Sequence, residues 1–135
     1  MLSLLLDEDI SPEVTHQIAQ KQPDIQITSV HYWHEGYYKG QPAEAILTAA
    51  MREGRSLVTY DQKTILPVLV QWGAAGIAHA GVVFVDDRSI SNSDFGAIVK
   101  AVTALRNASR TAEWKNRVEF LRPACENVFG ITGSA

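Results

Sequence analysis

Short apolar or alternating segments in this chain are separated by longer segments in which apolar residues recur every three or four positions. A short apolar run is typical of a strand buried in a parallel sheet, and the three-to-four spacing is typical of a helix with one packed face. The short segments therefore predict five strands, of which the last is weak: residues 2–6, 25–30, 56–60, 81–85 and 128–131.

Helices are predicted between these strands, with recognisable start and stop residues. Ser11-Pro12 indicates a helix start, because serine caps well and proline suits the first helical position, and Gly54 favours a helix end. Regular alternation of strands and helices predicts an α/β fold of three layers, α/β/α, around a central, mainly parallel sheet. The predicted helices span residues 12–21, 42–53, 63–72, a segment from Ser91 or Ser93 to 106, and 111–121.

Length and composition predict one domain over residues 1–135 in the cytoplasm. Cys125 is the only cysteine of the sequence, which excludes an intramolecular disulfide and fits a reducing compartment. No apolar run approaches the ~18 residues that a membrane span needs. The 12 basic and 15 acidic side chains give a net charge of −3, so any binding of nucleic acid must depend on a local site.

Acidic residues follow three of the predicted strands. These are Asp7, Asp61 and Asp86 or its neighbour Asp87. Because the carboxyl ends of parallel strands lie at one edge of a sheet, the carboxylates are expected to gather there and to repel one another unless a cation binds between them. Oxygen ligands without thiolates favour Mg²⁺ or Mn²⁺. Turns also favour aspartate, so solvated turn residues are the alternative interpretation.

Two segments of the sequence resemble the small stand-alone PIN-like proteins, which are themselves similar to toxin-type PIN ribonucleases. They are LLLDED-I-SP at residues 4–12 and EGRSLVTYD at residues 53–61, with EAIL at residues 44–47 between them. The resemblance covers about the first 90 residues. It implies a PIN-like fold that hydrolyses RNA phosphodiesters with Mg²⁺ or Mn²⁺. It also implies that the chain is a toxin whose partner is an antitoxin of helix-turn-helix type.

The resemblance also implies roles for individual residues. Asp7, Glu44 and Asp61 become the catalytic residues and metal ligands. Asp86, or its neighbour Asp87, is a further candidate metal ligand because it also follows a predicted strand. The sequence departs from the family pattern twice, because Ala43 stands at the helix-start position where the family usually has an aspartate, and Lys63 stands where it has another. The supporting residues are Glu8, Asp9, Arg55, Thr59 and Lys63, of which Thr59 would hydrogen-bond a ligand and Arg55 would pair with an acid or a phosphate.

Two other functions stay open at this point. Ala43 and Lys63 favour a PIN-like module that has lost catalysis and only binds. A phosphoacceptor receiver domain would use Asp61 as its acceptor, but it needs a serine or threonine after the fourth strand and a lysine after the fifth. The aromatic loop at residues 31–40 is interpreted as packed on the core, as a protein interface or as a platform for RNA bases, and Trp114 with Phe120 as an apolar patch or a homodimer surface.

Overall fold

The computed structural model describes residues 2–109 and 111–123 and arranges them around one parallel sheet. A 3₁₀ turn at Trp33–Gly36 interrupts the loop after the second strand. The strands are β1 (Ser3–Leu6), β2 (Gln26–Ser29), β3 (Arg55–Thr59), β4 (Val82–Phe84) and β5 (Val118–Phe120). The α-helices of these residues are α1 (Pro12–Lys21), α2 (Ala43–Glu53), α3 (Gln62–Ala75) and α4 (Phe95–Ser109).

All five strands run parallel, in the order β2-β1-β3-β4-β5. The predicted α/β class is confirmed. The chain builds outward from β1 in one direction to β2 and in the other through β3 to β5, so the strand order reverses between β1 and β3. In open parallel sheets the crevice beyond the carboxyl ends of the strands at such a reversal is the usual place for a ligand.

The side chains of β1 show why helices cover both faces. Leu4 and Leu6 pack with α1 and α4, whereas Leu5 packs with α2 and α3, and all three are fully buried. Successive side chains of a strand point to opposite faces, so an unbroken apolar run is stable only when both faces are covered. The predicted three-layer α/β/α arrangement follows.

Local hydrogen bonds fix where the helices begin. The Ser11 hydroxyl accepts the Glu13 N–H at 3.2 Å, as the sequence predicts. The predicted cap of α4 at Ser91 or Ser93 is wrong, because Asp94 Oδ1 accepts the Ala97 N–H at 3.2 Å and starts the helix. Ser91 instead accepts the Ser93 N–H and shapes the turn before it.

The predicted helix over residues 111–121 is wrong, since this segment contains β5. Asn116 has a left-handed backbone with φ of 60°, which a helix cannot accommodate. The carbonyl oxygen of Arg117 then accepts the Val82 N–H at 2.9 Å and begins the pairing with β4. Trp114 is buried in the core that α1 and α4 cover, where it covers apolar side chains, as one of its two interpretations expects. The predicted strand over residues 128–131 lies outside the described residues.

The third helix extends beyond its predicted end at residue 72, to Ala75, and Pro67 lies inside it. Gly76 in the left-handed conformation ends it. None of the helices in the described part of the chain is both long and apolar enough to cross a membrane.

The glycine before β4 offers a test of this packing. Gly81 has φ of +105°, and a Cβ at this residue would lie 2.8 Å from the carbonyl oxygen of Trp114. We expect Gly81→Ala to lower the free energy of unfolding by about 3 kcal/mol or more, because the clash adds to backbone strain.

Gly54 provides the matched control for urea unfolding. It also has a positive φ, +67°, but a Cβ there would meet nothing within 4 Å. Gly54→Ala should therefore cost only about 1 kcal/mol of strain. Equal losses in the two variants would contradict the described contact between Gly81 and Trp114.

Candidate functional site

A cleft of about 290 Å³ opens at the carboxyl edge of the sheet, where the strand order reverses. Its walls come from the turn after β1, the start of α2 and the start of α3. Acidic side chains from the ends of two adjacent strands share it with apolar side chains of the two helices. It is lined by Asp7, Glu8, Asp9, Gln41, Pro42, Ala43, Ile46, Asp61, Thr64 and Ile65.

Thr59, the last residue of β3, connects the carboxylates of this cleft. Its buried hydroxyl donates to Asp7 Oδ2 at 2.7 Å and accepts the Asp61 N–H at 3.0 Å. Asp9 Oδ2 accepts the Tyr60 N–H at 3.2 Å, so the third carboxylate is held against the end of the same strand. The structure thus brings Asp7 and Asp61 together as predicted, and it adds Asp9 to them.

Burial raises the pKa of Asp7, although hydrogen bonds from Thr59 and the Glu8 N–H act against it. Burial likewise raises the pKa of Asp9 to about 7, and the negative charges of Asp7 and Asp61 add to the effect. Asp9 Oδ1 is buried and has no hydrogen-bond partner. A buried carboxylate oxygen without a partner is costly, so this pocket is under-compensated for negative charge.

Asp61 also begins α3, since its Oδ1 accepts the Thr64 N–H at 3.1 Å. Capping fixes the rotamer of a side chain that faces the cleft. The ordinary chemistry of a helix N-cap therefore contributes to holding a carboxylate in this position.

Glu8 connects the cleft to the aromatic loop of residues 31–40. Its carboxylate Oε1 accepts the Gly40 N–H at 2.7 Å, and its carbonyl oxygen lies 2.9 Å from His31 Nε2. Within the loop, Trp33 is buried in the core that α2 and α3 cover, as one interpretation of this segment expected. Tyr32 and Tyr37 remain 57% and 65% exposed.

The structure does not bring Glu44 to the cleft. Glu44 is exposed in the first turn of α2, while Ala43 lines the cleft in its place. Successive residues of a helix point about 100° apart, so an acid displaced by one position faces away. Lys63 is exposed as well, and it is Thr64 that lines the cleft, so the Lys63 side chain does not fill the space between the carboxylates.

Asp86 lies at a neighbouring cleft, and not with Asp7. It follows β4, which is two strands away from β1, and its Oδ1 accepts the Arg88 N–H at 2.9 Å. This hydrogen bond, together with the Arg88 side chain, lowers the pKa of Asp86.

Arg55 lies at the opposite end of β3 from the cleft, at the start of the strand. There its Nε donates to Glu53 Oε1 at 3.1 Å. Burial acts to raise the pKa of Glu53, but hydrogen bonds from Trp33, His34 and Arg55 outweigh it and lower the value to about 2. Arg55 is thus ion-paired with Glu53, which also accepts a hydrogen bond from Trp33 in the aromatic loop.

Comparison of the chain with protein-family models, with curated proteins and with solved structures finds no match. The resemblance to PIN-like proteins therefore rests on sequence segments alone, at residues 4–12, 44–47 and 53–61.

The donors of the cleft suit a hard divalent cation. Asp7, Asp9 and Asp61 supply only oxygen, and Asp9 Oδ1 lacks a partner. Within residues 2–109 and 111–123, no three His, Cys, Asp or Glu side chains are already arranged around one metal position. Mg²⁺ requires less than that, because it keeps several waters and is commonly held by one or two carboxylates.

The raised pKa of Asp9 predicts a pH-dependent stability. Between about pH 4 and pH 7 the folded chain holds a proton on Asp9 that the unfolded chain has released. The stabilisation of the folded state by the neutral Asp9 side chain is therefore present at low pH and is lost as the pH rises through 7. We expect Asp9→Asn to raise the free energy of unfolding by about 1–3 kcal/mol near pH 8, and to change it little near pH 4.

Urea unfolding without divalent cations across this pH range measures the effect. Asp94→Asn is the matched control, because it also replaces an aspartate by asparagine and can keep the cap of α4. A pH dependence that is the same in Asp9→Asn and in the wild type would contradict the buried, charged environment assigned to Asp9.

Proposed function

We propose that this chain is a divalent-metal-dependent endoribonuclease in which Asp7, Asp9 and Asp61 hold Mg²⁺ or Mn²⁺, directly or through the waters of the ion. The observation that carries the proposal is the cluster of three carboxylates around Thr59 at the strand-order reversal, with one buried carboxylate oxygen unpaired. A cation is the simplest group that would offset this buried negative charge.

The residues of the cleft have distinct tasks in this proposal. Asp7 is fixed at both oxygens, by the Glu8 N–H at 2.8 Å and by the Thr59 hydroxyl, as metal-binding carboxylates commonly are. Asp61 is fixed through the cap of α3, and Asp9 offers its unpaired Oδ1. When bound, the cation would polarise a phosphodiester and lower the pKa of a water that attacks it.

The choice of RNA as the substrate is supported by the sequence segments that resemble PIN-like proteins. Pairing with a helix-turn-helix antitoxin is proposed on the same resemblance, and action in the cytoplasm is proposed on the single cysteine of the sequence. A reading frame for a small DNA-binding protein next to this one would support the toxin assignment.

We expect purified protein to cleave single-stranded RNA when Mg²⁺ or Mn²⁺ is present, and Asp7→Asn to lower the rate by about 100-fold or more, because the variant removes a fixed charged ligand. Cleavage of a labelled RNA, followed on denaturing gels, measures this. Glu113→Gln, an exposed acid near the start of β5, is the matched control and should cleave like the wild type. Unchanged cleavage by Asp7→Asn would refute the proposal.

The third acid of the site can be identified separately. The resemblance implies Glu44, whereas the geometry favours Asp9, so we expect Asp9→Asn to lose most of the cleavage and Glu44→Gln to keep most of it. Binding of Mn²⁺ by calorimetry should follow the same order and should weaken as the pH falls below about 7, because protons compete for Asp9. The reverse order would restore Glu44 as the ligand.

A binding module without catalysis is the second candidate, and the observation in its favour is that Ala43 lines the cleft where an acid is expected. Absence of both RNA cleavage and Mn²⁺ binding would favour it.

A phosphoacceptor is the third candidate, because receiver-type proteins have this strand order. Against it, Asp86 follows β4 and Arg122 follows β5, where a receiver has a serine or threonine and a lysine. Transfer of phosphate from a small phosphodonor to Asp61 would favour it.

A further inference from the structure

Helix α3 presents a second apolar stripe to solvent, besides the residues that it buries in the core. Leu66 and Val70 are exposed, the latter to 67%, and Gly73 and Ile77 continue their spacing of three to four residues. A surface helix ordinarily turns charged and polar side chains to solvent. An exposed apolar stripe on such a helix marks a surface for interaction.

The edge strand β5 extends this stripe. Val118 lines a groove of about 270 Å³ together with α3, and Phe120, 56% exposed, lies on the same face of the strand, since side chains alternate. Five of the seven large apolar side chains that are exposed in the described part of the chain therefore lie together, and they are not scattered. They form the apolar face, which consists of Leu66, Val70, Ile77, Val118 and Phe120.

Backbone groups of β5 point out of the sheet beside this face. The strand is an edge strand of the described sheet, with β4 on its inner side. The Arg117 carbonyl oxygen and the Leu121 N–H bond to β4, so the N–H and C=O groups of Val118 and Phe120 point the other way. Natural proteins commonly cover an edge strand that has exposed apolar side chains.

The apolar face carries no charge. From Thr64 to Val85 the sequence contains no Asp, Glu, Lys or Arg. His79, in the same segment, accepts the Gly81 N–H at its Nδ1 over 3.0 Å, so its ring is neutral. The charged residues of β5 and its start, Arg117 and Glu119, belong to the opposite face and pair with each other at 2.7 Å.

This neutrality favours a second copy of the chain as the partner. In a two-fold symmetric interface each patch meets its own copy, so a charge near the axis lies against the same charge and is repelled. An uncharged face avoids that repulsion. A membrane surface would instead call for basic residues beside the apolar ones, and Lys63 is the only basic residue of α3.

The size of the face suits a dimer of moderate affinity. A standard interface takes about 20–30 residues and about 800 Å² from each partner. The exposed residues of α3, with those of residues 76–78 and 116–120, number on the order of 15, below that range. Association in the micromolar range follows from an interface of this size.

We propose that the apolar face is the interface of a symmetric homodimer, in which two α3 helices pack antiparallel with Val70 near the axis and β5 beside them. Of the two residues that the sequence suggests for a homodimer surface, Phe120 belongs to this face and Trp114 to the core. None of the five side chains lines the acidic cleft, so the inference does not depend on the proposed nuclease.

Sedimentation velocity of the full chain from about 1 to about 200 µM, in EDTA and without RNA, measures the association. We expect the wild type to pass from monomer to dimer with a Kd on the order of 10 µM. Val70→Glu should weaken the association at least about 100-fold and stay monomeric, because it places like charges on both sides of the axis. A folded monomer tolerates this change at so exposed a position.

Two controls separate the interface from folding. Thr48→Glu adds the same charge at an exposed position of α2 and should dimerise like the wild type. Val70→Lys should be monomeric alone, but an equimolar mixture of Val70→Glu and Val70→Lys should form the dimer again, because opposite charges then meet across the axis. A variant that had lost its fold would not be rescued in this way.

Each outcome bears on this inference or on the proposed function. A wild type that stays monomeric up to about 200 µM overturns the homodimer, and sedimentation of that monomer with phosphatidylcholine vesicles would assign the face to a membrane surface. A dimer that persists in Val70→Glu, or charge variants that do not associate when mixed, also overturns it. RNA cleavage by a monomeric wild type leaves the proposed function standing, whereas a dimer that cleaves no RNA contradicts the nuclease and supports the interface.

Discussion

The proposed function depends on the repulsion between carboxylates that a parallel sheet gathers at one edge. Asp7 and Asp9 follow β1 and Asp61 follows β3, and these strands are neighbours, so the topology itself forces the three acids together. Burial makes the ionisation of Asp7 and Asp9 costly, and the Thr59 hydroxyl and two backbone N–H groups offset only part of that cost. In the proposed function, a bound cation would offset the charge that remains uncompensated.

The rest of the fold keeps these acids in position. The consecutive leucines of β1 face the two helical layers in turn and fix the sheet between them, so the turn that carries the acids follows a rigid strand. The aromatic loop is anchored at one end to Glu8 in the cleft and at Trp33 to the core and to Glu53. Along the same edge, acidic side chains at the strand reversal give way to arginines and Phe120 beyond β4.

The sequence predicts the architecture well, because unbroken apolar runs and helix start signals such as Ser11-Pro12 depend on neighbouring residues alone. It also predicts that Asp7 and Asp61 meet, since strand ends of a parallel sheet share an edge. It does not predict β5, because three alternating residues at 118–120 match a helix as well as a strand until β4 is there to pair with them. The sequence does not predict that Asp9 joins the two other acids, because this depends on the rotamer of its side chain. It also does not predict that Ala43 lines the cleft instead of Glu44. The family pattern is displaced by one residue here, and the phase of the helix decides which side chain faces the cleft.

The most direct test of the account is the anomalous difference density of a crystal soaked in Mn²⁺. The account predicts one strong peak in the acidic cleft, about 2.0–2.3 Å from a carboxylate oxygen of Asp7, Asp9 or Asp61, or one water farther away. Well-ordered cleft residues without a Mn²⁺ peak would contradict the account. A peak at another surface, while the three carboxylates contact only water, would also contradict it.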